Sequence, residues 1–340
     1  MKTLLRQDKS YSATIIILFI LSLISIGATA VLGEFVLPVA IALYAALITF
    51  ERKPHVLSLI CAVIGFSLLL IPFTIPPIWS GVAVVCGFLL SALYNSGNAK
   101  SDSAIILTLA VSAAMVLSFV LIVYGITGQF SLEATVRFFT DLFEELKGAF
   151  VELVDLMNEN LAEQMVKYAS PEQLEKNSVS EEMLTESLTL AFNMLVSFVV
   201  IIAFLISGFA IKLYTLIVRK KAEQDSPIHS WNFALPSIYA YLFMAVFLLS
   251  SFVSPFESFG VIIINLSNIF TVIFAYLGFK AFKELFSRKG KRALGILIPI
   301  LGVVALGSIA LDVLSAFGAV STIISNRKLS SNGDVGENKN

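Results

Sequence analysis

Residues 130–187 read FSLEATVRFFTDLFEELKGAFVELVDLMNENLAEQMVKYASPEQLEKNSVSEEMLTES, and they form the one long water-compatible stretch of this chain. Every other part is hydrophobic run or short connector. Within the stretch, Phe139, Phe143, Leu146, Phe150, Leu153, Met157, Leu161, Met165 and Tyr168 recur at steps of three and four, the period of one helical face. Ser131 stands where an N-cap belongs, and Ser170-Pro171-Glu172-Gln173 reads as a second helix start. A third start at Ser178 or Ser180 is expected to run on continuously into the hydrophobic segment at Leu190. Arg137, Lys147, Lys167 and Lys176 face thirteen acids across these residues. A segment so poor in Lys and Arg is easily translocated, which places it outside the cell.

What surrounds this stretch decides the fold class. The 340 residues are 57% hydrophobic and only 14% charged, whereas charged residues make up about a quarter of a soluble domain. Charge-poor runs place membrane spans at 14–32, 35–50, 55–71, 78–94 and 104–125, then at 190–217, 233–252, 261–282 and 293–311. Inside a bilayer the backbone must satisfy its own hydrogen bonds, and these runs are too long for barrel strands. The expected architecture is therefore all-α: a polytopic transmembrane helix bundle of about nine spans with an extracytoplasmic helical insertion. Its segments are an N-terminal membrane block (1–128), the acidic amphipathic insertion (129–187), a C-terminal membrane block (188–325) and a disordered polar tail (326–340).

Lys and Arg near the span ends set the orientation. Lys2, Arg6 and Lys9, then Arg52 and Lys53, Lys100, Arg219 to Lys221, and Lys283 to Arg292 all fall on one side if the spans alternate. That side is expected to be the cytoplasm, with the N-terminus in it. The first residues imitate a secretory signal ending in Ala28-Thr29-Ala30, but the apolar run is long enough to cross a bilayer and a second span follows at once. A signal-anchor helix is the plainer reading. Apolar character continues past Asp312, punctuated by Gly302, Gly307 and Gly318, so the end of the chain reads either as one span with an interfacial segment or as a hairpin.

Polar side chains at membrane depth are costly unless they face a partner, water or the bundle interior. Asn265 and Asn268 lie three apart on one face, beside Ser267; Asn265 and Asn193 fall near the outer ends of their spans, and Glu34 lies on the same side in the connector between the first two. These four are the candidate substrate-binding residues. The bland alternative is that the amides join helices, the usual role of Asn in membranes. Lys212 lies near a cytoplasmic end, from which its amine reaches the headgroups. Prolines at 38, 72, 76, 77, 236 and 299 interrupt or end spans, and small residues at Ser25, Thr29 and Gly33 and at Ala42 and Ala46 permit close helix approach.

The chain has no G-x-x-x-x-G-K-[ST], no G-x-S-x-G, no H-E-x-x-H and no paired intramembrane acids. No catalytic residue is assigned and an enzyme is not expected. Cys61 and Cys86 both lie in apolar runs, and His55 and His229 have no companion ligand at useful spacing. No metal and no cofactor are expected. The cytoplasmic basic residues suit anionic lipid, not nucleic acid.

Trp231-Asn232-Phe233-Ala234-Leu235-Pro236, Asn265, Tyr276-Leu277-Gly278, and Leu311-Asp312 through Asn326-Arg327-Lys328 resemble the YybS-like family of bacterial multi-pass membrane proteins. On that resemblance Trp231, Pro236, Gly278 and Asp312 are family-motif positions. The resemblance implies a bacterial inner (cell) membrane protein, distantly similar to the S components of energy-coupling-factor vitamin transporters and to the cell-shape protein MreD. Such a substrate-binding or permease-like subunit would depend on separate ATPase and coupling subunits. Here Ala42 and Ala46 lie in the second span, where S components carry their docking alanines in the first. The alternative reading is a non-transport membrane scaffold or cell-envelope assembly component, with other envelope proteins as partners.

Overall fold

A computed structural model describes residues 2–51, 55–68, 78–95, 101–165, 181–225 and 235–334. The described residues contain twelve α-helices and no strand. In chain order they are α1 (Lys2–Leu32), α2 (Leu37–Phe50), α3 (Val56–Ser67), α4 (Ile78–Asn95), α5 (Ser101–Thr127), α6 (Leu132–Met165), α7 (Glu181–Asn193), α8 (Leu195–Asp225), α9 (Ser237–Ser250), α10 (Ser258–Arg288), α11 (Leu294–Leu306) and α12 (Ser308–Asp334). A 3₁₀ turn, Gly33–Phe35, joins α1 to α2. The helices fall into two compact units: residues 1–118, 199–244 and 270–340 in the first, and 119–198 with 245–269 in the second.

At the centre of the first unit is α2. Its sequence, LPVAIALYAALITF, carries no charge, and Ala40, Ala42, Ala45 and Ala46 are all fully buried. Alanine leaves room for a neighbouring backbone, so α1, α3 and α4 close around it. Gly87 of α4 meets it where a β-carbon would come 2.8 Å from the Tyr44 ring and 3.0 Å from Ile41 O. The polar stripe Ser22, Ser25 and Thr29 of α1 is buried; the hydroxyls of Ser25 and Thr29 return their hydrogen bonds to Ser22 O and Ile26 O of the same helix. Glu51, just past α2, accepts from the backbone N–H groups of Leu57 (2.6 Å) and Ser58 (2.9 Å), so it caps α3 from across the connector.

Two glycines decide the C-terminal part of this unit. Gly278 of α10 and Gly318 of α12 stand where their backbones touch: a β-carbon at Gly278 would fall 1.9 Å from Leu314 O, and one at Gly318 would fall 2.0 Å from Phe274 O. Only glycine permits that approach. Gly307 has φ +57° and ends α11, with its N–H bonded to Val303 O (2.9 Å). α11 and α12 then pack against each other, with Gly302 opposite Ala310. Of the two readings of the chain's end, one span with an interfacial segment or a hairpin, the structure forms the hairpin, because glycine at 307 takes a backbone angle that other residues disfavour.

Among the described residues, six helices are long and apolar enough to cross a membrane: α1, α4, α5, α8, α10 and α12. Four further apolar helices, α2, α3, α9 and α11, have 12 to 14 residues. At 1.5 Å per residue they rise about 20 Å, short of the roughly 30 Å hydrocarbon core. The count of nine spans from hydropathy treated those runs as full spans. Large side chains such as Val31, Leu109, Phe198, Leu301, Val304 and Val313 point outward along the helices, which suits lipid and would be costly in water.

The second unit holds α6 and α7. The Ser131 hydroxyl accepts from Ala134 N–H at 3.0 Å, the N-cap that the sequence reading placed there. Phe143 of α6 packs on Phe192 of α7 with ring centroids 4.7 Å apart. The helix start expected at Ser170 lies outside the described residues.

Candidate functional site

Two of the predicted site residues meet in the second unit, at a break in a helix. Segments α7 and α8 are one run interrupted at Met194. On either side the ladder continues, with Met194 N–H bonded to Leu190 O and Phe198 N–H to Met194 O, both at 3.1 Å. In an unbroken helix Ser197 N–H would bond to Asn193 C=O. Here Ser197 N–H donates to Asn265 Oδ1 at 2.8 Å, and Asn265 Nδ2 donates to Asn193 O at 2.6 Å.

The carboxamide of Asn265 is therefore spliced into the backbone ladder of another helix. A side chain inserted between the i and i−4 groups is a known cause of a helix break, and it accounts for the interruption at Met194. The helix expected to run on through Leu190 does pass that residue, but its continuation is interrupted at Met194 on this ground. The second proton of Nδ2 goes to Val261 O, one turn back in α10, at 2.8 Å. Both donors and the carbonyl of this amide are engaged, and the residue is 7% exposed.

Asn193 adds a second tie. Its Nδ2 donates to Pro255 O at 3.1 Å, in the connector between α9 and α10. That connector folds tightly onto the start of α10: a β-carbon at Gly260 would fall 1.7 Å from Ser254 O. Ser250 of α9 and Ser267 of α10 join by their hydroxyls at 3.4 Å. The neighbouring ends of α7, α8, α9 and α10 are thus held by neutral amide and hydroxyl groups.

Asn268 is half-buried three residues along α10 from Asn265 and takes no part in the splice. Glu34 belongs to the first unit, in the 3₁₀ turn, and its carboxylate lies outside the described side chains. Of the four predicted residues, then, Asn193 and Asn265 are brought into contact. Among the motif positions, Gly278 makes the α10–α12 contact and Pro236 precedes α9, accepting from Tyr239 N–H at 3.1 Å. Asp312 is half-buried in the second turn of α12. Trp231 lies outside the described residues.

A second polar cluster, in the first unit, escaped the sequence reading. Thr49 of α2 bonds to Ser91 of α4 (3.0 Å) and to the Tyr214 hydroxyl of α8 (2.8 Å), and the Tyr94 ring packs edge-on to Tyr214 at 5.1 Å. Hydroxyl residues are common in apolar helices, so no signal set these apart. Ser197 escaped for a different reason, since it contributes a backbone N–H that any residue but proline carries. Among the described residues no group of three His, Cys, Asp or Glu side chains converges to hold a metal ion.

A chain whose described residues hold helices and no strand, with six membrane-length apolar helices among them, outward-facing apolar side chains and amide-tied helix ends, is a multi-pass integral membrane protein, associated with the lipid bilayer. It belongs to the family described as Predicted membrane protein (DUF2232), whose model matches residues 13–320. Searches of curated proteins and of solved structures find no match.

Proposed function

We propose that the protein is a non-catalytic scaffold of the bacterial cell membrane that gathers envelope proteins around its external helices. The observation that carries this reading is the state of Asn265: its carboxamide is fully engaged in joining helices, which suits a structural role better than a ligand wall. The reading takes α6 and α7 as extracytoplasmic, on the acid surplus of residues 130–187 and the Lys and Arg of the opposite connectors. If the six long and four short apolar helices each cross, the hairpin at Gly307 returns the C-terminus to the cytoplasm beside Arg327 and Lys328, in place of about nine crossings. In-cell photo-crosslinking from positions along α6 tests the scaffold: it should trap a defined protein partner, and a protein that stays solitary at every position on α6 and α7 would sink it.

A second reading is a substrate-binding or permease-like subunit, akin to the vitamin-transporter S components and the YybS-like proteins that the sequence resembles. Asn268 favours it, as a half-buried amide on α10 outside the splice. Its test is a ligand-dependent thermal shift of the purified protein against vitamin and metabolite panels. A shift lost in Asn268→Ala would establish it, and flat curves throughout would remove it.

A further inference from the structure

Along α6, Leu142, Leu146, Ala149, Leu153 and Leu156 recur at alternating steps of four and three. This is the heptad spacing of a coiled-coil seam, with Leu146 and Leu153 at the a positions and Leu142, Ala149 and Leu156 at d. Among the described residues the seam is exposed: Leu142 is 37%, Leu146 48% and Leu153 49% accessible, and Ala149 is exposed too. The two flanks differ. On one side Phe143 turns to α7, where it packs on Phe192. On the other, at the g positions, Glu145 and Glu152 stand seven residues apart and exposed, and neither forms an ion pair among the described residues.

We propose that this seam is the docking site for one helix of a partner protein, with apolar residues at heptad spacing and Lys or Arg at the positions that meet Glu145 and Glu152. The inference rests on the scaffold reading and names the class of partner. The charge pattern decides among the occupants. A second copy laid antiparallel would set Glu against Glu, and one laid parallel would set Glu against the phenylalanine flank, so neither arrangement supplies a cation. An anionic membrane surface repels the same carboxylates. A helix with basic flanks satisfies the seam and the acids together, and the small Ala149 at its centre lets the partner's backbone come close.

The test uses the full-length protein in phosphatidylcholine nanodiscs and two fluorescent synthetic 21-residue helices with leucine at a and d. One carries lysine at every e and g position and the other glutamate. The lysine helix should bind about ten-fold more tightly than the glutamate helix, the effect of two flanking ion pairs. The double change Glu145→Lys with Glu152→Lys should reverse the preference. Leu146→Asp with Leu153→Asp should abolish binding of both helices while the thermal unfolding midpoint is retained. Equal affinities for the two helices, equal binding to empty nanodiscs, or no reversal in the charge-swapped protein would each overturn the proposal. So would efficient disulfide formation between copies through Ala149→Cys, which would assign the seam to self-pairing. In cells, crosslinks from α7 but none from Ala149 would remove the seam and leave the scaffold standing; silence along all of α6 and α7 would remove the scaffold itself.

Discussion

Asn265 does with a side chain what a peptide unit does in an unbroken helix. It offers a carbonyl to Ser197 N–H and an N–H to Asn193 C=O, so its loss takes the partner from one buried and one half-buried backbone group unless the break at Met194 closes. An unsatisfied buried group costs roughly 1–3 kcal/mol, and Asn265→Ala should lower stability by about that amount in a thermal or denaturant unfolding series in detergent. Asn265→Asp should be worse, because a carboxylate keeps the acceptor for Ser197 but sets negative charge against the carbonyls of Asn193 and Val261. Asn193→Ala should be milder, costing on the order of 1 kcal/mol, since its own carbonyl stays and only the bond to Pro255 is lost. If Asn193→Ala proved as damaging as Asn265→Ala, the splice would not be what holds this corner.

At the scale of elements, α10 and α12 touch through bare backbone. Gly278→Val or Gly318→Val would drive a β-carbon into a carbonyl oxygen about 2 Å away, so the helices must separate. Overpacking of this kind costs about 1–3 kcal/mol or more, and the loss should appear as a lowered unfolding midpoint. Gly125 of α5 serves as the control, because nothing lies within 4 Å of its would-be β-carbon. Gly125→Ala should leave the midpoint unchanged or slightly higher. An equal fall in all three variants would mean that the close approach is not the cause. The cap on α6 gives a smaller, local effect: Ser131→Ala removes the bond to Ala134 N–H. It should cost about 1 kcal/mol, read as faster amide exchange confined to the first turn of α6. The Ser131 cap was legible because a capping residue and the helix it starts are adjacent in sequence. The glycine contact was not, since Gly278 and Gly318 are forty residues apart and glycine recurs throughout the apolar runs.

For the whole molecule the sharpest test is topology. A reporter inserted within residues 144–156 should read extracytoplasmic, and one fused after residue 334 should read cytoplasmic, the outcome that ten crossings with the hairpin at Gly307 give. A cytoplasmic reading for α6 would overturn the alternation of Lys and Arg on which the orientation rests. An external reading at the C-terminus would mean that α11 and α12 do not both cross.

Composition and charge placement by themselves determined that this is an all-helical membrane protein with an acidic amphipathic insertion, because both follow from transfer free energies summed over long windows. Tertiary structure alone decided the rest. Hydropathy is the same for a helix facing lipid and one facing its neighbours, so α2 read as an ordinary span while it lies buried at the heart of its unit. A polar side chain in a span announces that it needs partners but not which ones. Asn265 found its partner in a backbone N–H sixty-eight residues away, a group that carries no mark in the sequence.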